Sequence, residues 1–413
     1  MRATLPLGLL GLLTACGPDL PEPATSPKHA VLIVLDTVRA DVWEEVDTPV
    51  FDALGERGTV AKRAWSPGTW TAPGVVSLFT GAHVREHGWD LSFPHRLAKG
   101  TSYPGLPADM PVLAEVLADA GFKTNAAFAN PLLGRRIDFS RGFDKWKFVK
   151  SGAQPKWVAR QVKSWDDGER HFLYVHQFGC HSPLNPSLRA RIENGLAFMP
   201  MDDPPKWGIR KLKAGKKKKI AEYGQAYRAK AEDLDRMVGE IIAALGPYAA
   251  DTAIVVTSDH GELLGEHGVI GHRRYVWEPL THVPLAALGT DPLPPMVTTA
   301  VVPDLITRAL NVPHDWPISL DNPGPLVSQR EGKIAFSSDG VTKGIWDAES
   351  LDQPTAYNVE VDPLETNGLP MPVDVAASRR DWAAGTPERH QAPVDEKMDA
   401  ETMDVLEALG YVE

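Results

Sequence analysis

Along this chain, short unbroken apolar runs take turns with longer stretches in which apolar residues recur every three or four positions. Residues 29–36, HAVLIVLD, are continuous and β-branched, the pattern of a strand buried on both faces. Residues 122–129, 172–178 and 252–259 repeat that pattern. Between them, 111–120 reads as a helix stopped at Gly121, and 222–245 as a long helix with Leu234, Met237, Ile241 and Leu245 on one face and Gly246 past its end. Residues 70–81, WTAPGVVSLFTG, read as a loop running into a short helix. Strands alternating with helices predict an α/β fold, a mostly parallel central sheet sandwiched by helices. After Val312 and Pro313 the texture changes. Residues 333–338 and 355–361 read as short strands, so 322–413 is expected to form a small C-terminal antiparallel-sheet subdomain beside a main domain over 29–321.

Polar residues gather at the ends of the apolar runs. Asp36 closes the first, His181 follows the third, and Asp259 and His260 close the fourth. Open parallel sheets bind ligands beyond the carboxyl ends of their strands. Three distant segments are therefore expected to line one cleft.

Composition narrows the class. With 413 residues and 43% hydrophobic residues, the chain can build a large core. The net charge of -11 argues against general nucleic-acid binding. The start, MRATLPLGLLGLLTAC, has one basic residue and then an apolar run too short to span a bilayer comfortably. Leu13-Thr14-Ala15-Cys16 resembles a bacterial lipobox, which implies removal of residues 1–15 and lipidation of Cys16. Residues 16–28 hold four prolines and read as an extended tether. The chain is then expected in the cell envelope, lipid-anchored to a bacterial membrane with its main domain outside the cytoplasm. Cys180 would be the sole free thiol, a small buried side chain and no second nucleophile. Trp65 and Trp70 are expected in the core. Arg210 to Lys219, RKLKAGKKKK, is a basic island, read first as a solvated loop and second as a contact for anionic headgroups.

The motifs taken together resemble the sulfatase branch of the alkaline phosphatase superfamily. The stretches VLDTVRADVW, DTPVFDALGERG, WTAPGVVSLFTGAHVREHG, FLYVHQFGCHSPLNP, TSDHGELLGEHGVIGH, AYNVEVDPLETNGL and LEALGYVE follow that family's order from about Ala30 to Glu413. The resemblance places Thr71 at the nucleophile position. Ordinary sulfatases keep Cys or Ser there and convert it to formylglycine. Thr cannot be converted, but lipoteichoic acid synthases and related phosphotransferases use a Thr directly. Thr71 thus looks like a hydroxyl nucleophile that a metal must activate.

The same resemblance implies a metal site of Asp36, Thr71, Asp259 and His260. Family members usually carry Asp where this chain has Thr37, and Asn where it has His260. Fewer carboxylates and one imidazole favour Mn²⁺ or Zn²⁺ for one divalent metal, with Ca²⁺ or Mg²⁺ possible. His181 falls where the family places a His facing the substrate, there to protonate the leaving oxygen or hold a non-bridging one. His272 and Arg273 fall on the substrate-binding segment, and Arg39 with Asp41 reads as a structural ion pair. Gly74 and Val75 replace the family's Ser-Arg, and Gly179-Cys180 a frequent Asp-Pro.

These features imply a metal-dependent hydrolase of an anionic sulfate, phosphate or phosphonate ester. A Thr ester lacks the carbonyl-forming exit of a sulfated formylglycine, so it must be cleaved by a second in-line attack, which leans toward phosphoryl transfer. Two alternatives stand beside it. One is a catalytically inactive binding protein with the sulfatase fold. The other is a phosphotransferase with a lipid or glycan acceptor.

Overall fold

The computed structural model describes residues 20–89, 105–134, 138–166, 168–196, 217–272, 274–347 and 353–389. Cys16, Arg273, residues 210–216 of the basic island and the LEALGYVE tail lie outside the described residues.

Seven strands build the central sheet. They are β1 (His29–Leu35), β2 (Thr59–Val60), β3 (Phe122–Phe128), β4 (Lys145–Phe148), β5 (Arg170–Gln177), β6 (Thr252–Thr257) and β7 (Leu285–Leu288), in the order β2-β7-β6-β1-β5-β3-β4. Five of them, β6-β1-β5-β3-β4, run parallel, and β7 pairs antiparallel with β6. This is the mostly parallel, helix-covered sheet the alternation predicts. The edge pair β2 and β7 was not legible, because a two-residue strand and a four-residue run after Pro284 carry too little periodicity.

The central strand shows why the sheet is buried on both sides. Ala30, Leu32 and Val34 enter one core with helices α1 (Thr71–Thr80) and α4 (Val302–Ala309). Val31, Ile33 and Leu35 enter the other, with α2 (Gln154–Val162) and α3 (Lys217–Ala244). Alternate side chains point to opposite faces, so an unbroken apolar run satisfies both layers. The long helix is already formed at Lys217, earlier than expected, since lysines are good helix formers.

The proline-rich stretch is docked from Leu20 onward. Leu20 is buried, and its carbonyl accepts from Arg57, which also pairs with Glu22 at 3.0 Å. The Ala24 N–H donates to Ala250 O at 2.8 Å. Leu20 to Ala24 are therefore held against the body where an extended tether was expected.

A separate five-stranded antiparallel sheet follows, β8 (Leu326–Arg330), β9 (Lys333–Ser337), β10 (Thr342–Asp347), β11 (Thr355–Asn358) and β12 (Leu369–Pro370). Lys343 on β10 joins it to the main body. Its fully buried ammonium lies 3.2 Å from Glu278, 3.0 Å from Glu365 and 4.8 Å from the Trp65 ring centre. Burial pushes Glu365 up to about 7, against the pull of Lys343. Removing one partner of a buried ion network leaves uncompensated charge, so Lys343→Met is expected to lower unfolding stability by about 3–5 kcal/mol. Adding Glu365→Gln should recover part of it. Denaturant titration of both variants checks this, and an unchanged midpoint in Lys343→Met would refute it.

Candidate active site and metal centre

The site sits where β1, β5 and β6 end. Asp36 is the first residue after β1, and the chain then turns sharply at Thr37, whose φ of 60° is left-handed. The turn aims the Thr37 N–H at Asp259 Oδ1, 3.2 Å away, and the Tyr227 hydroxyl donates to the Thr37 carbonyl. The Thr37 hydroxyl bonds back to the Asp36 carbonyl at 2.7 Å. Thr37 thus supports the loop through its backbone, and its side-chain oxygen is turned to the main chain.

Asp259 and His260 arrive two and three residues past β6, both fully buried. His260 Nδ1 faces the Gly261 carbonyl at 2.8 Å, so that nitrogen carries the proton. The Nε2 lone pair is left to face the site, 3.6 Å from Asp36 Oδ1, 3.9 Å from Asp259 Oδ1 and 3.4 Å from Thr71 Oγ1. Donor atoms of Asp36, Asp259 and His260 all lie within 4.8 Å of one another. Thr71 is the first residue of α1, where the helix N-terminus favours negative charge.

The electrostatics are those of a cation site. Burial, then the Asp259 charge, raises the Asp36 carboxyl well above its usual range. Burial works to raise Asp259 as well, but His260, His176 and the Thr37 N–H together hold it low. Burial lowers His260 to about 4 despite the adjacent Asp259, so the ring is neutral and its lone pair available. Among the described residues, Asp36 Oδ1 is buried without a hydrogen-bond partner. Two carboxylates, a neutral imidazole and an alcohol make a donor set that could hold one divalent metal.

Glycines let the backbone close around this group. A Cβ on Gly179, at φ +56°, would stand 2.0 Å from the Asp36 carbonyl oxygen. A Cβ on Gly74 would stand 2.3 Å from the Asp259 carbonyl oxygen. That contact gives a packing reason for Gly74, where the family pattern has Ser. Gly74→Ala is expected to displace α1 or Asp259, costing about 1–3 kcal/mol and about 10²-fold in turnover. Thermal melting with and without Mn²⁺, together with kcat/KM, checks this, and a variant that matches the parent would refute it.

His181 and His272 complete one wall. The His181 ring is 5.1 Å from that of His272, which is 4.6 Å from that of His260. Burial lowers His181 to about 3, with His272 adding to the effect, and its Nδ1 faces the Ser182 carbonyl at 2.6 Å. The ring is thus held neutral, with Nδ1 turned to that carbonyl, so it is no ready proton donor to a leaving oxygen. His272 Nδ1 lies 3.4 Å from Glu262 Oε2.

Sequence reading missed three residues here. His176, inside the apolar run of β5, places Nε2 3.3 Å from Asp259 Oδ2 and orients that carboxylate. Glu262, two residues past His260, supports His272. Asn130 follows β3 and bonds both Asp36 and Thr71. The rule that found Asp36 and Asp259, polar residues just past strand ends, would have found Asn130 as well.

Other readings have plain structural answers. Arg39 is buried and pairs with Asp41 at 2.6 Å and also with Glu266 at 2.7 Å. Cys180 is buried, and burial raises its thiol well above the usual range, so it is no nucleophile. Trp65 and Trp70 are both core residues.

Comparison with known proteins gives the family and the fold. The sulfatase family model matches residues 28–306. The low-salt glycan biosynthesis sulfotransferase Agl7 of Haloferax volcanii is 29% identical over 262 residues, 59% of this chain and 52% of that protein. The chain spans about half the length, or less, of the curated relatives it matches. BT4656, solved with its substrate D-glucosamine-2-N,6-O-disulfate, superposes with a TM-score of 0.65 at 16% identity, over 87% of this chain and 96% of that one. A phosphonate monoester hydrolase of Agrobacterium radiobacter superposes with a TM-score of 0.61 at 16% identity, over 87% of this chain and 94% of that one. The family model covers most of the main body, strand ends and site included, and the chain belongs to the sulfatase family.

Proposed function

We propose that the chain is a metal-dependent ester hydrolase with Thr71 as nucleophile, acting on an anionic ester and favouring phosphoryl or phosphonyl over sulfuryl transfer. The observation that carries this is the convergence of Thr71 Oγ1, at a helix N-terminus, on the buried Asp36–Asp259–His260 group. A divalent metal held by these residues would lower the pKa of the hydroxyl and neutralise charge on the transferred group.

Thr71 Oγ1 forms a bond to the central phosphorus or sulfur while the bond to the ester oxygen breaks on the opposite side. The Thr71 proton passes to solvent, and the departing alkoxide takes one back. Water then attacks in line, the bond to Oγ1 breaks, and Thr71 is reprotonated. The proton of that water passes to solvent, and His181, beside His272, would line its approach. His272, and Arg273 by its neighbourhood in sequence, would hold the non-bridging oxygens.

The lean to phosphorus rests on the nucleophile: a Thr ester is released by a second in-line displacement, which phosphoryl groups accept readily. Structural likeness to a phosphonate monoester hydrolase supports it. A transferase using an acceptor alcohol in place of water is the second reading, supported by the sulfotransferase relative. The test compares nitrophenyl sulfate, phosphate, phosphodiester and phosphonate on protein stripped of metal and reloaded with Mn²⁺, Zn²⁺ or Ca²⁺. Metal-dependent turnover of a phosphodiester or phosphonate above sulfate is expected, and sulfate preferred by every metal form would reverse the lean.

We infer also, from the lipobox-like LTAC, that Cys16 carries the lipid of a bacterial envelope protein. Cys16→Ser should then move the protein from the membrane to the soluble fraction. Unchanged fractionation would remove the anchor.

A further inference from the structure

Asn130 is fully buried on the turn after β3. Its amide orientation is set by the backbone. Oδ1 accepts the Leu132 N–H at 2.9 Å, capping the turn Pro131–Leu133. The two Nδ2 protons therefore face the site, one toward Asp36 Oδ2 at 2.7 Å and the other toward Thr71 Oγ1 at 3.3 Å. A flipped amide would set Oδ1 against a carboxylate and lose the cap, so the amide nitrogen is the atom that faces Asp36 and Thr71.

A fixed donor on the nucleophile's oxygen acts unequally on the two halves of the reaction. Before attack, Oγ1 carries its highest charge, and a donor there stabilises the starting state. During attack that charge passes into the new bond, so the donor gives attack no advantage. In the second half the charge returns to Oγ1 as water displaces it, and the donor stabilises the departing oxygen. Preorganised donors aimed at developing charge are worth about 10²–10³ in rate each.

We propose that Asn130 is a catalytic residue for the second displacement, the donor that makes Thr71 a competent leaving group. This rests on the reading of Thr71 as nucleophile. In that step the bond from water oxygen to phosphorus or sulfur forms and the bond to Thr71 Oγ1 breaks. The water proton departs to solvent, and Oγ1 is reprotonated under the Asn130 N–H.

Asn130→Ser and Asn130→Asp separate the roles of the side chain. Both can cap the Leu132 N–H, so the turn is kept, and neither offers the Nδ2 donor. With Mn²⁺-loaded protein and the nitrophenyl ester it turns over fastest, each variant is expected to release a burst near one equivalent of nitrophenol. Steady-state kcat should then be about 10²–10³-fold below the parent, and intact mass should show an adduct on Thr71. Either variant turning over within about threefold of the parent would overturn the proposal, as would slow turnover with neither burst nor adduct. Thr71→Ala is the control that separates the two readings. If it keeps turnover, the nucleophile reading fails and this role with it. If it is inactive while the Asn130 variants show no burst, the role of Asn130 alone fails.

Discussion

Thr71→Ala is expected to abolish metal-dependent ester hydrolysis, by about 10⁴-fold or more, while leaving the fold and metal binding nearly intact. Losing the attacking atom removes the covalent route altogether, and what remains is catalysis by the surrounding charges alone. The fold should tolerate the change. Thr71 is buried at the first position of α1, and the N-cap position is Trp70. Ala is also the best helix former. The metal would keep three of its four protein donors. Thr71→Ser sharpens the prediction, since it restores a hydroxyl at the same Cβ and should regain activity to within about 10–100-fold of the parent, the deficit reflecting a freer rotamer. Steady-state kinetics, with metal content read on the same samples, check both. A fully active Thr71→Ala would show that the hydroxyl is a bystander and that water attacks directly.

What the sequence reveals here depends on how local each signal is. Buried parallel strands announce themselves as unbroken apolar runs, so β1, β3, β5 and β6 could be read within two residues of their ends. The group of Asp36, Asp259 and His260 was legible because each member lies at the end of such a run. His176 was hidden for the opposite reason: it lies inside the run of β5, where a polar residue looks like an interruption. Its partner Asp259 is 83 positions away, and that pairing exists only once β5 and β6 flank β1. The close approaches at Gly74 and Gly179 were likewise invisible. A departure from a family motif shows only that a side chain is gone, and the reason lies in carbonyls brought near by folding. Asn130 could have been read from its position just past a strand, and was passed over because an amide is a less conspicuous ligand than a carboxylate.

Asp36→Asn should make the metal-free protein more stable and the enzyme inactive. Asp36 and Asp259 are both fully buried, and Asp36 Oδ1 finds no hydrogen-bond donor among the described residues. Without a cation, folding brings two carboxylates together in a low-dielectric site, which costs free energy. An Asn of the same shape removes the like-charge repulsion and still offers an oxygen to the Asn130 amide. On this reasoning the metal-free variant gains on the order of 1 kcal/mol. Metal has the opposite effect. In the parent, a cation present at about 100 times its dissociation constant should add about 2.7 kcal/mol and raise the melting temperature accordingly. The variant has lost one of two charged ligands and should show little of that rise, with turnover down about 10³-fold or more. Melting curves of parent and Asp36→Asn, each with EDTA and with Mn²⁺, decide it. The expected result is a crossing, with the variant melting higher in EDTA and the parent higher in metal. Equal metal-induced rises in both would show that Asp36 is no ligand, and a variant less stable in EDTA would show that its carboxylate is held by something other than a cation.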